Sequence, residues 1–132
     1  MREIEFRGKT MKGYFVCGLL SKSHGCYGQP PVGYYISNSS GMPWAYGVLT
    51  ETIGQYTGNR DKNNIKIYEG DILKHVNTIR YVVYEEDCGG FVLVKQFPEY
   101  KEQRYIDFNC DAAIESEIIG TIYDNPELLT NH

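Results

Sequence analysis

The sequence predicts a mainly β protein, on three observations. β-branched and aromatic residues are dense: Tyr and Ile each occur 12 times, Val 8 times, Thr 7 times and Phe 5 times, against 3 Ala and 7 Leu. Such side chains lose χ1 freedom in a helix and pack well on a pleated surface. Apolar and polar residues alternate with period two in short runs, as in Glu3-Ile4-Glu5-Phe6-Arg7. Gly, present 14 times, and clusters of turn formers separate the runs, which leaves about nine short strands at the spacing of a barrel or a sandwich.

Taken in order, Glu3 to Arg7 is a strand with Ile4 and Phe6 on one face, broken by Gly8-Lys9. A second strand runs from Met11 to about Leu20. Residues 21 to 33 are rich in Ser, Gly and Pro and form a loop, because Pro30 and Pro31 have no N–H to give to a ladder. Tyr34 to Ile36 is a short strand, Asn38 to Gly41 a turn, and Pro43 to Leu49 a strand holding the single Trp. Gly58 to Asn64 is polar and reads as a loop, after which Ile65 and Ile67 flank Lys66 in strand alternation. Glu69-Gly70-Asp71 is a tight turn that aims Ile72 and Leu73 inward, with Gly70 in a conformation that a side chain forbids.

Thr78 to Tyr84 and Phe91 to Phe97 form a hairpin across the turn at Glu85-Glu86-Asp87-Cys88-Gly89-Gly90, and Pro98-Glu99 ends it. Arg104 to Phe108 is another strand. Asp111 to Ser116 is a short helix, and Glu117 to Tyr123 is the last strand. Asn125 caps a one-turn helix with Pro126 at its first position. Ile119, Ile122 and Leu128 are the expected core contacts of this C-terminal stretch.

Length and composition set bounds. A chain of 132 residues with 42% apolar content suits one compact unit with a real core. The formal net charge of −4 gives no basic stripe for phosphate. The N-terminus lacks the apolar core of a signal peptide, and no apolar run approaches the ~20 residues needed to cross a bilayer. The four cysteines, Cys17, Cys26, Cys88 and Cys110, form no C-x-x-C pair. The expectation is a bacterial cytoplasmic protein with reduced thiols.

Three segments carry a resemblance. They are Arg2-Glu3-Ile4-Glu5-Phe6-Arg7; Ile53-Gly54-Gln55-Tyr56-Thr57-Gly58 with Asp61-Lys62-Asn63 and Ile67-Tyr68-Glu69-Gly70-Asp71-Ile72; and Ile119-Gly120-Thr121-Ile122-Tyr123-Asp124-Asn125-Pro126-Glu127-Leu128-Leu129. Together they resemble the YopX family of bacteriophages and prophages. The resemblance implies a single unit over residues 1–132. Strands and loops fill about 1–64, and an SH3-type barrel fills about 65–129. It also implies a phage or prophage context, with no assigned activity, catalytic residue or cofactor.

Several groups invite a chemical reading. Tyr68-Glu69-Gly70-Asp71 sets two carboxylates beside aromatics, which suits acid–base work if their environments differ. A turn whose Asp accepts backbone hydrogen bonds is the preferred reading, since no catalytic partner is visible. Cys17, His24 and Cys26 have metal-ligand chemistry without zinc-like spacing, so no metal is expected. A Cys–His nucleophile with His24 or His75 lacks an orienting third group. Trp44, Tyr46 and Tyr56, with Tyr34 and Tyr35, are the candidate binding residues, as an aromatic face that grips a peptide or stacks bases. Rim or core packing is the plainer reading of the same residues.

The leading functional expectation is a non-catalytic phage accessory protein that acts through a β-barrel surface and self-associates. The alternative is a nucleic-acid-binding module for phage replication or regulation, favoured if Arg60, Lys62, Lys66 and Lys74 form one basic groove. An enzyme of unknown type is the third possibility, and a deep pocket with a perturbed carboxylate is its mark.

Overall fold

A computed structural model describes residues 3–38, 45–87, 89–97, 102–107 and 110–129. Strand dominates, as the composition requires. The strands are β1 Phe6–Lys9, β2 Phe15–Ser23, β3 Gly33–Ser37, β4 Ala45–Val48, β5 Gly54–Arg60, β6 Lys66–Tyr68, β7 Asp71–His75, β8 Thr78–Glu85, β9 Gly90–Phe97, β10 Glu102–Asp107 and β11 Glu117–Thr121. One α-helix, α1 Cys110–Glu115, and two 3₁₀ turns, Thr50–Thr52 and Pro126–Leu129, complete the described elements. The chain divides into two units, Met1–Tyr56 and Thr57–His132, with the boundary inside β5.

In the first unit the strands follow the order β4-β3-β2-β1-β5, all described pairings being antiparallel. β1 and β2 form a hairpin whose turn is closed by Thr10 N–H on the Tyr14 carbonyl and Gly13 N–H on the Thr10 carbonyl. The strand does not break at Gly8-Lys9. Gly8 pairs with Val16, and a Cβ there would press on Val48 at 3.0 Å. Of the face that carries Ile4 and Phe6, Ile4 is 57% exposed, whereas Arg7 from the other face is buried. Arg7 reaches that position by laying its guanidinium over the Phe15 ring, 4.5 Å from the centroid. The aliphatic stem and a cation–π contact make burial of this cation tolerable.

β2 starts four residues later than expected and runs through Ser21-Lys22 to Ser23. Polar residues continue the strand because residues 19–23 pair with β3, from Leu19↔Ser37 to Ser23↔Gly33. Ser23 is buried. Its hydroxyl donates to the Pro30 carbonyl at 2.6 Å and accepts from Gly25 N–H at 3.3 Å.

In the second unit, Thr57–Arg60 continues β5 beside β6, with the Thr57 hydroxyl donating to the Ile67 carbonyl at 2.8 Å. The expected loop at Gly58–Asn64 is therefore half strand, and only residues 61–65 turn. Asp61 builds that turn. Its Oδ1 accepts from Asn63 N–H at 2.9 Å and Ile65 N–H at 3.0 Å, and its Oδ2 accepts from Ile118 N–H at 3.1 Å. The side chain is buried, and these bonds compensate its carboxylate for lost water.

The Glu69–Asp71 turn is as expected. Gly70 has φ +95°, and a Cβ there would meet the Tyr123 ring at 2.9 Å. Gly70 N–H donates to the Val82 carbonyl, and Ile122 N–H donates to the Gly70 carbonyl. Asp71, 1% exposed, accepts from Tyr68 N–H at 2.8 Å. Ile72 and Leu73 follow and are both buried, on opposite faces of the sheet.

That sheet has five antiparallel strands in the order β10-β9-β8-β7-β11. One face packs Ile67, Leu73, Val82, Leu93 and Ala113 into a core, with Phe91 and Ile118 against it. No closed barrel forms among the described residues, which corrects the SH3-type expectation for 65–129. β10 and β11 remain the two edges. The N–H of Ile118 on β11 is taken by Asp61 rather than by another strand, and a bulge between Ile118 and Gly120 interrupts the ladder. The short helices fall close to the expected positions. Asn125 accepts twice at this end: its carbonyl from Leu128 N–H at 3.1 Å, at the start of the Pro126–Leu129 turn, and its side-chain oxygen from Thr121 N–H at 3.3 Å. Ile119, Ile122 and Leu128 are half-buried rather than core, and Ile118 takes the packing role.

Candidate interaction surface

β2 changes partner partway along its length. Residues Phe15–Gly18 pair with β1, and Leu19–Ser23 pair with β3. The change falls at Gly18, where a Cβ would collide with the Ser37 carbonyl oxygen, so only glycine permits the approach. Asn38 fastens the same corner by donating from Nδ2 to the Cys17 carbonyl at 3.0 Å.

On the other side of β2, pairing with β1 begins at Phe6↔Gly18. The preceding residues turn toward β5, where Tyr56 N–H donates to the Glu5 carbonyl at 2.7 Å. Ile4 and Glu5 thus separate from Leu19. The separation leaves an open depression of about 640 Å³ lined by Ile4, Glu5, Cys17, Gly18, Leu19, Ser37 and Asn38. Leu19 is 66% exposed beside Ile4. Two large aliphatic side chains in solvent at one concave place mark an interaction surface better than a single exposed Leu does.

The sequence-based candidates are dispersed by the fold. Tyr34 lies opposite Val48, and Tyr46 lies opposite Ile36, which is fully buried. Those two tyrosines share the face of Ile36, with the Lys22 ammonium 5.6 Å from the Tyr34 ring. Tyr35 points to the other face, and its hydroxyl donates to the Pro31 carbonyl at 2.8 Å. Tyr56 is 5% exposed and belongs to the core. Trp44 lies outside the described residues.

Cys17 is a half-buried thiol, whereas Cys26 and His24 are exposed on the loop after β2. Among the described residues no group of three His, Cys, Asp or Glu side chains is placed to hold a metal ion. Cys88 and the Cys110 side chain fall outside the described part. Asp71 in the carboxylate turn is engaged by Tyr68 N–H, as a structural turn requires. Of the four cations weighed as a groove, Lys62 and Lys74 face the same acid. Lys62 lies 3.5 Å from Glu117, and Lys74 is directly across the ladder from the same Glu117. Arg60 bonds the Asn64 carbonyl at 3.0 Å. The depression itself was not singled out from sequence. Its one trace there is the pair Leu19-Leu20, of which a strand can bury only one member on a given face.

These features define an all-β protein of two antiparallel sheets with an open, aliphatic surface at a sheet corner. No described helix is long and apolar enough to cross a membrane. The chain belongs to the YopX family, since a family model described as YopX protein matches residues 20–130. The match starts just after Leu19, so the Arg2–Arg7 segment and most of the depression precede it. The crystal structure of protein EF1440 from Enterococcus faecalis is similar, with a TM-score of 0.53 at 20% identity over 98% of this chain and 99% of that one. This likeness concerns the fold. No curated protein matches the chain.

Proposed function

We propose that this chain is a non-catalytic interaction protein that binds a protein partner at the depression around Ile4 and Leu19. The setting we read for it is the cytoplasm of a bacterial host, as an accessory protein of a phage or prophage. The observation that carries the reading is the exposure of two large aliphatic side chains at a concave corner fixed by Gly18 and Asn38. Apolar anchors in a preformed recess suit protein recognition, because little ordering remains to be done on binding. The nucleic-acid alternative has weaker support, since Lys62 and Lys74 share an acidic neighbour and the net charge is −4.

The test is affinity capture from lysogenic cells with three baits: the native protein, Leu19→Asp, and Val76→Asp on the second unit as a surface control. A specific protein retained by the native and Val76→Asp baits and lost with Leu19→Asp is the expected result. An identical set of captured proteins with all three baits overturns the proposal.

A further inference from the structure

On the five-stranded sheet of the second unit, the apolar face gives way to cations one step beyond its core. Leu73 on β7 pairs with Arg80 on β8. β8 and β9 pair at Tyr81↔Val94, so the next residues out are Arg80 and Lys95. Lys95 in turn pairs with Arg104 on β10. Arg80 stands two residues from Val82, and Lys95 two from Leu93, both of which are core residues. Strand alternation therefore sets all three cationic positions on the core face. Adjacent strands lie ~4.8 Å apart, which gives the row a span of roughly 10 Å from β8 to β10.

We infer that this row is a binding site for a phosphoryl group. Two independent observations point to an anion. Arg80 is half-buried, and its Nε is shut off from water with no hydrogen-bond partner among the described residues. A charged donor in that state is costly, and an anion beside it removes the cost. Lys95 and Arg104 are direct cross-strand partners, and like charges so placed repel. One anion shared by the row offsets both effects. The acids around this face leave the row positive. Asp71 accepts from Tyr68 N–H, Glu115 on α1 lies 3.2 Å from His75, and Glu102 stands opposite Phe97, one row further out. A phosphoryl group brings nearly two charges and three acceptor oxygens, which matches three cations better than a carboxylate does. The planar donor fork of arginine suits it in particular. A row of this length serves one such group rather than a polynucleotide track, in keeping with the net charge of −4.

The site belongs to the second unit, and its test does not depend on the Ile4–Leu19 depression. Inorganic phosphate is titrated into the native protein by calorimetry at fixed ionic strength, with chloride as the blank. Adenosine monophosphate and adenosine follow, to separate the free ion from a phosphorylated small molecule. Saturable binding of phosphate or of the monophosphate, and none of adenosine, is the expected result. Arg80→Met and Lys95→Gln should each weaken it about 10-fold or more. Lys74→Gln, on the opposite face of the same sheet, should leave it unchanged. In phosphate-free buffer Arg80→Met should melt no lower than the native protein, because an apolar chain replaces an unsatisfied donor. A lower melting temperature would make Arg80 a structural residue and overturn the assignment. So would native protein that binds neither phosphate nor the monophosphate, or an Arg80→Met variant that binds as tightly as the native chain.

Discussion

At Asp61 a single carboxylate holds three stretches of backbone together. It closes its own turn through Asn63 and Ile65, and it reaches Ile118, 57 residues away in sequence. Lys62 N–H adds a bond to the Ser116 carbonyl beside it. An alanine there would leave three N–H groups without this acceptor in a partly buried setting. Asp61→Ala should therefore cost on the order of 3 kcal/mol, and urea unfolding measures it. Asp61→Asn should lie between, because an amide offers one acceptor oxygen where the carboxylate offers two. Equal midpoints for Asp61→Ala and the native protein would show that the turn does not depend on the carboxylate.

The hairpin between β7 and β8 poses a different problem. Val76 at its tip has φ +56° and is 75% exposed. A β-branched residue in the left-handed region is strained, and in solvent it gains no burial to offset the strain. Asn tolerates that conformation and suits hairpin turns. Val76→Asn should raise stability by about 1 kcal/mol, read as a higher melting temperature. A lower one would mean that Val76 is held by contacts its exposure does not reveal.

The elements differ in how much of them sequence could announce. From Tyr68 to Leu129 the strands were legible, because short alternating runs are bounded by local turn formers such as Gly70 and Glu85-Glu86-Asp87. In the first half, distant pairing decides. Ser21-Lys22 reads as loop yet is strand, because β3 lies alongside it. Gly58, at φ +90°, stays inside β5 although it resembles a turn. The depression was hidden for the same reason. It arises where Ile4-Glu5 follows β5 and Leu19 follows β3, and neither pairing is written in the local pattern.

The two units of the molecule are unequally furnished. Among the described residues, the first unit buries Val16, Ile36 and Tyr56, whereas the second buries Ile67, Tyr68, Ile72, Leu73, Val82, Val92, Leu93, Val94 and Ala113. Local opening is easiest where few apolar contacts must be broken. Native-state hydrogen exchange should find the slowest amides in β7, β8 and β9, with faster exchange in β2 and β3. The reverse order would show that something other than described apolar burial sets the stability of the first unit.

The pairing of β1 with β5, Phe6↔Gln55 and Arg7↔Gly54, has a consequence for the chain as it is made. About fifty residues of synthesis separate the two partners, which takes some ~2–10 s at ~5–20 residues per second. For that interval one border of β1 faces the crowded space outside the ribosome with its backbone unmatched, open to any other nascent strand. The run Glu3-Ile4-Glu5-Phe6-Arg7-Gly8-Lys9 places a charge at every second position there. Two acids followed by two bases on such a border deter foreign strands from joining it. The same charges that give the N-terminus its strand-like rhythm thus act as its guard until Gly54 and Gln55 arrive.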